Sequence, residues 1–149
     1  MKAVVTRVDS ASVTIDGKVN GEIGKGFLIL LGVAPTDTPA HCHKLADKIL
    51  GLRIFTDENG KMNRSLEDVG GQVLVVSQFT LYGDCHKGRR PNFLRAAGPN
   101  IAIPLYEQFL RECEALGFPP QHGEFGAHME VASVNHGPVT LIVDTDEIM

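Results

Sequence analysis

The chain has 149 residues, 43% of them hydrophobic and 21% charged, with a formal net charge of −4; that fits one soluble domain large enough to bury a core and argues against a general nucleic-acid binder. No apolar run approaches the roughly 20 residues of a membrane span, and the alternating N-terminus is no signal-peptide core. Cys42, Cys85 and Cys113 are odd in number and form no Cys-x-x-Cys pair, so a reducing, cytoplasmic setting without a disulfide framework is expected.

Alternation predicts strands over Lys2–Val8 and Ala11–Ile15, a tight turn at Asp16-Gly17, and a strand over Lys18–Ile23. The continuous apolar run Phe27–Val33 predicts a buried strand. Thr38-Pro39 is a helix start, and Leu45, Ile49 and Leu52 supply the apolar face of a helix ending near Leu52. A short strand is expected at Arg53–Phe55, a turn at Asp57–Gly60, and a long strand at Gln72–Phe79. The Gly-, Pro- and Arg-rich stretch Tyr82–Asn100 predicts a loop. A helix then runs from about Ile103 to Leu116, with Leu105, Phe109 and Cys113 on one face and Gly117 as its stop. Two last strands, Ala127–Asn135 and Val139–Thr145, flank Gly137-Pro138. The sum is a single α+β domain over residues 1–149, dominated by antiparallel strands.

Two motifs carry the chemistry. Val73–Val76 runs straight into Ser77-Gln78-Phe79-Thr80, and Met129–Val134 runs into Asn135-His136-Gly137-Pro138-Val139-Thr140. Gly137 lacks a Cβ and Pro138 lacks an N–H, so a Gly-Pro step between strands presents bare carbonyls at a sharp bend; on local chemistry alone it is also an ordinary connecting turn. Ser77, Thr80 and Thr140 are candidate nucleophiles, yet none has an activating base visible in sequence, and no Gly-x-Ser-x-Gly elbow is present. His41-x-His43 sits at a helix start, where residues two apart do not share a face. Neither a metal nor a cofactor is implied. Lys87, Arg89, Arg90 and Arg95 cluster after the Ser77 motif, which permits phosphate contacts from an otherwise acidic chain and equally describes a solvated loop.

Together the two motifs resemble the paired signatures of the D-aminoacyl-tRNA deacylase family. The likeness runs nearly end to end: Arg7-Val8, Ala11–Ile15 with Gly17, Gly21–Gly26, Leu52–Phe55, Asp57–Asn63, Lys87–Pro91, and Phe125-Gly126-Ala127 with Met129. It implies a homodimer with a barrel-like, mainly antiparallel sheet and two principal helices, acting on the aminoacylated 3′ end of tRNA without a cofactor or a membrane. The reaction implied is hydrolysis of the ester of D-aminoacyl-tRNA, and of mischarged glycyl-tRNA, since glycine has no side chain to reject.

The resemblance also implies roles. Backbone N–H groups around Phe79 and Thr80 polarise the ester carbonyl, Ser77 and Gln78 line the amino-acid and ribose ends, and Phe125 and Met129 wall the adenosine. The substrate's own 2′-hydroxyl assists, so orientation and an oxyanion hole suffice for an activated ester; Thr80 as a covalent nucleophile is the older alternative. A cis Gly137-Pro138 enters the partner subunit's pocket, holds the α-amino group with its carbonyls and excludes L side chains. Arg7 orients those carbonyls, and Thr140 follows them in the same motif. On this reading Gly137→Ala adds a Cβ facing the pocket and impairs D-substrate binding. Lys87, Arg89 and Arg90 would meet tRNA phosphates. Three positions depart from the family: His136 in place of a common Asp, Thr6 of a Gln, and Ser133 of a Leu. Two alternatives remain: a related deacylase that presents a trans Gly-Pro and acts on L-alanyl-tRNA, and a non-enzymatic nucleic-acid-binding module.

Overall fold

The computed structural model of the chain describes residues 1–149 and joins the two expected N-terminal strands into one, β1 (Lys2–Ile15). The polar Asp9-Ser10 step suggested a break. Instead, register shifts flanking Val8 absorb it, bending the strand while its pairing continues. A two-residue loop with positive φ at both Asp16 and Gly17 (49° and 76°) leads into β2 (Lys18–Ile23), the backbone that favours Asp-Gly in a tight hairpin. The first half of β1 pairs antiparallel with β3 (Gly26–Gly32) and the second half with β2.

Helix α1 (Pro39–Leu50) follows Thr38, whose N–H donates to His41 Nδ1 at 3.0 Å. Its buried face is Cys42, Leu45, Ala46, Ile49 and Leu50. Next come two short antiparallel strands, β4 (Phe55–Thr56) and β5 (Met62–Arg64), the former starting two residues later than expected. A single-turn helix, α2 (Leu66–Val69), is capped reciprocally by Ser65 and Asp68, whose N–H···O distances are 2.9 and 3.3 Å. The Ser-x-x-Asp spacing was its available sequence signal.

Strand β6 (Gln72–Ser77) pairs parallel with β3, because the intervening helices form a crossover rather than a hairpin. It stops at Ser77 instead of Phe79, and Phe79–Tyr82 forms a 3-10 turn. Helix α3 (Pro99–Ala115) begins four residues before the expected Ile103. Pro99 occupies the first helical position, where a missing N–H is harmless, and Pro104 is carried inside the helix. Parallel to β6 lies β7 (Gln121–His122), which reaches back to β2 through Asn20 Nδ2 donating to His122 O at 2.6 Å. The sheet order β2-β1-β3-β6-β7 therefore nearly closes into a barrel. Last come β8 (Glu130–Asp144), antiparallel along most of β1, and the short α4 (Thr145–Ile148). The architecture is a single mixed α+β domain with two long and two short helices; two of its strand pairings are parallel.

Two cores result. The larger packs α1 and α3 on the sheet and includes Phe27, Ile29, Leu45, Ile49 and Phe109, with Phe27 and Phe55 stacked at 5.4 Å. The smaller gathers Val8, Ala11, Val13, Ile23, Leu28, Leu74 and Val76, with Leu30 and Met129 packed against it.

Candidate active site

The end of β6 and the segment entering β8 meet at a pocket of about 260 Å³, lined by Val76, Ser77, Gln78, Phe79, Phe125 and residues 126–129 and 131. Val76 and Met129 tie its floor to the smaller core. Helix α3 supports the wall: Tyr106 Oη donates to Val75 O at 3.0 Å, and the Tyr106 and Phe125 rings lie 6.0 Å apart. Burial holds the Tyr106 phenol well above its usual pKa, so it donates a hydrogen bond rather than carrying charge.

Five of the expected site residues are thus brought together: Ser77, Gln78, Phe79, Phe125 and Met129. Thr80 is exposed beside them, its hydroxyl accepting from Gln78 Nε2. Phe79 and Thr80 open the 3-10 turn, where N–H groups have no partner within the turn. Sequence reasoning missed His128, the one ionisable side chain in the lining. Its only signal was a place between Phe125 and Met129. No hydrogen bond joins it to Ser77, so no serine–histidine pair forms. Two other histidines act structurally: His41 caps α1, and His43 Nδ1 pairs with Glu112 Oε2 at 3.0 Å. No group of three or more His, Cys, Asp and Glu stands close enough to hold a metal ion.

The second motif forms a separate group. Val8 pairs with Asn135 and Thr6 with Thr140, so four residues of β8, positions 136–139, stand opposite the single residue Arg7. The Gly137–Pro138 peptide bond is cis, and both residues are exposed. Arg7 is only 5% exposed and braces the excursion from behind. Its Nε donates to His136 O at 3.0 Å and its Nη1 to Ile54 O at 2.7 Å, with Thr56 Oγ1 at 3.5 Å. The carbonyl it holds is therefore that of His136, one residue before the Gly-Pro step. His136 Nδ1 lies 3.4 Å from Asp9 Oδ1. Ile54 and Asp9 had no sequence signal as partners, since they come from separate elements. The expectation that a Cβ on Gly137 would face the pocket is corrected. With φ of +124°, that atom would stand 2.7 Å from Arg7 Nη2 and 3.1 Å from Val139 Cγ2. Neither Gly137, Pro138 nor Thr140 lines the pocket of its own chain.

The third group, Lys87, Arg89 and Arg90, is wholly exposed on a loop closed by an antiparallel Asp84–Asn92 bridge.

The frame is thus a nearly closed parallel-and-antiparallel barrel flanked by helices, with the end of β6 beside Phe125 and Met129 and an exposed Gly-Pro bend. The sequence model of the family described as D-Tyr-tRNA(Tyr) deacylase matches residues 4–144. A D-aminoacyl-tRNA deacylase of Desulfatibacillum aliphaticivorans is 60% identical over 145 residues, covering 97% of this chain and 99% of its own. Another, from Thermosipho africanus, is 53% identical and covers 99% of each chain. A solved structure named c-Myc DNA unwinding element binding protein superposes with a TM-score of 0.91 at 41% identity, covering 97% of this chain and 98% of that one. A probable eukaryotic D-amino acid tRNA deacylase shares the fold, with a TM-score of 0.81 at 17% identity over 95% of this chain and 97% of its own. The chain belongs to the D-Tyr-tRNA(Tyr) deacylase family.

Proposed function

We propose that this chain hydrolyses the ester of D-aminoacyl-tRNA, releasing the free D-amino acid and tRNA, and that it works as a two-fold dimer in which each pocket is completed by the partner's Gly137-Pro138. The observation that carries the reading is the division of the two motifs: the pocket holds Ser77, Gln78 and Phe79, whereas the braced bend is exposed and does not line that pocket in its own chain. Isologous exchange of two such bends completes both sites at once.

In this mechanism Phe125 and Met129 hold the terminal adenosine, and the N–H groups of Phe79 and Thr80 stabilise the developing oxyanion. The substrate's 2′-hydroxyl assists attack by water, which explains why no side-chain nucleophile with a hydrogen-bonded base is present. The partner's bend carbonyls hold the α-amino group. An L side chain would then meet rigid backbone while a D side chain points to solvent, and glycyl esters pass because they have no side chain. Lys87, Arg89 and Arg90 contact phosphates. Charged tRNA and the free thiols of Cys42, Cys85 and Cys113 agree with a cytoplasmic setting.

Mixed dimers test the shared site. Ala127→Arg fills the pocket, and Gly137→Ala disturbs the bend; each alone is expected to be nearly inactive. Mixing and re-associating them should restore about a quarter of wild-type activity, since half the dimers are mixed and each has one intact site. No recovery, with mixed dimers verified by mass, would overturn the cross-subunit reading. The structural relative named for DNA-element binding favours one second reading, a binding module without catalysis; nucleic-acid binding with no D-tyrosine release at any protein concentration would favour it over the enzyme.

A further inference from the structure

Leu94 is 87% exposed and Phe93 beside it 38%, yet neither sits on a loose segment. Asp84 and Asn92 exchange backbone hydrogen bonds of 2.8 and 3.1 Å, Ala96 N–H donates to Phe93 O at 3.0 Å, and Ala97 N–H to Val33 O at 2.9 Å. Leu94 N–H also donates to Asn92 Oδ1 at 3.3 Å. A tied backbone thus holds Leu94 out in water and leaves Phe93 packed on one side only. The Phe93 ring meets Phe79 edge to face, centroids 5.2 Å apart, and Phe79 itself lines the pocket. Lys87, Arg89 and Arg90 lie on the loop that the Asp84–Asn92 bridge closes, directly before Phe93 in the chain, whereas Arg95 shares a pocket with Asp144 and Asp146. From Asp84 to Asn92 that loop carries three cations and one carboxylate, Asp84, in a chain of net charge −4. Asp84 Oδ1 is already engaged by His86 N–H at 2.9 Å.

We propose that Phe93 and Leu94 form a stacking platform for the single-stranded nucleotides that precede the terminal adenosine of the substrate, with the adjoining phosphates on Lys87, Arg89 and Arg90. The proposal rests on the deacylase reading above. Exposed aromatics beside a cationic track are the combination that single-stranded nucleic acid requires, because every base offers a π-face and every step a phosphate. The local excess of positive charge selects this occupant over an apolar protein surface.

The test compares hydrolysis of D-tyrosyl-tRNA with that of D-tyrosyl-adenosine, which lacks the preceding nucleotides. Phe93→Leu keeps apolar bulk against Phe79 but removes the ring, Phe93→Tyr restores it, and Leu94→Ser thins the platform. Phe93→Leu is expected to raise KM for the tRNA substrate about tenfold and to lower the ratio of kcat/KM for tRNA over the short substrate by the same factor. Phe93→Tyr should return both to wild type, and Leu94→Ser should shift them in the same direction. Binding of an unacylated single-stranded oligonucleotide with the tRNA 3′ sequence should weaken in parallel. Equal losses on the two substrates would overturn the platform, leaving Phe93 as mere packing for Phe79, and so would no change on either. A change of oligomeric state in Leu94→Ser with unaltered oligonucleotide binding would overturn it in favour of a self-interface. A wild-type protein that hydrolyses neither substrate, yet binds the oligonucleotide through Phe93, would sink the deacylase reading and uphold the platform.

Discussion

Gly137→Ala puts the bend and its brace to the test. The added Cβ would lie 2.7 Å from Arg7 Nη2, inside van der Waals contact, at a φ of +124°. Alanine in this left-handed region costs about 1–2 kcal/mol. The guanidinium is not free to step aside, being held by His136 O at 3.0 Å and Ile54 O at 2.7 Å. Breaking one such charged hydrogen bond costs about 1.5–3 kcal/mol. Together these give about 2.5–5 kcal/mol, or roughly 10 °C in Tm for a domain of this size. Arg7→Met alone leaves the buried Ile54 carbonyl and the part-buried His136 carbonyl without their donor and costs about 2–4 kcal/mol. In the double variant the clash is gone and only the backbone strain remains, so the two costs should fall short of additive by about 1.5–3 kcal/mol. Thermal and urea unfolding of the four proteins measure this. A Gly137→Ala protein that melts within about 2 °C of wild type, or a strictly additive double variant, would refute the contact between Arg7 and the bend.

Ser77→Ala and Thr80→Ala should each retain measurable deacylation, whereas a substrate ending in 2′-deoxyadenosine should be poor; an acyl-enzyme trapped on Thr80 would reverse this. Tyr106→Phe removes the bond to Val75 O at 3.0 Å and should cost about 1 kcal/mol in unfolding experiments, lowering Tm by about 2–4 °C. The hydrogen bond and charge of Glu112 raise the His43 pKa, and His43 in turn lowers that of Glu112. The His43 contribution is present below its unfolded pKa and lost as pH rises through the raised folded value. The Glu112 contribution is present above its unfolded pKa and lost as pH falls through the lowered one. Glu112→Gln should therefore lower Tm most near about pH 5.5 and converge on wild type near about pH 9; a gap independent of pH would contradict the pairing.

The periodic elements were legible because each buries one face. Leu45 and Ile49 fixed α1, Phe109 and Cys113 fixed α3, and the alternation from Ala3 to Val13 fixed β1. What failed was where tertiary pairing overrides local pattern. Asp9-Ser10 looks like a strand end and is a bulge; Phe79 looks like strand and opens a 3-10 turn; Gln121-His122 is too short for any pattern and is the strand that nearly closes the barrel. The pocket was partly legible: two segments supplied Ser77, Gln78, Phe79, Phe125 and Met129, but His128 and the Ile54 carbonyl depend on contacts distant in sequence. Gly137 was marked by its lack of a side chain. Which way its Cα–H points follows only from the excursion of four residues opposite Arg7.

The central claim, chiral ester hydrolysis, is met most directly by one comparison: release of amino acid from D-tyrosyl-tRNA and from L-tyrosyl-tRNA by the purified protein, side by side. Exclusion of the L side chain by rigid backbone predicts a kcat/KM ratio of at least about a thousandfold in favour of the D substrate, equivalent to about 4 kcal/mol. Equal rates for the two enantiomers, or faster release of the L amino acid, would contradict it.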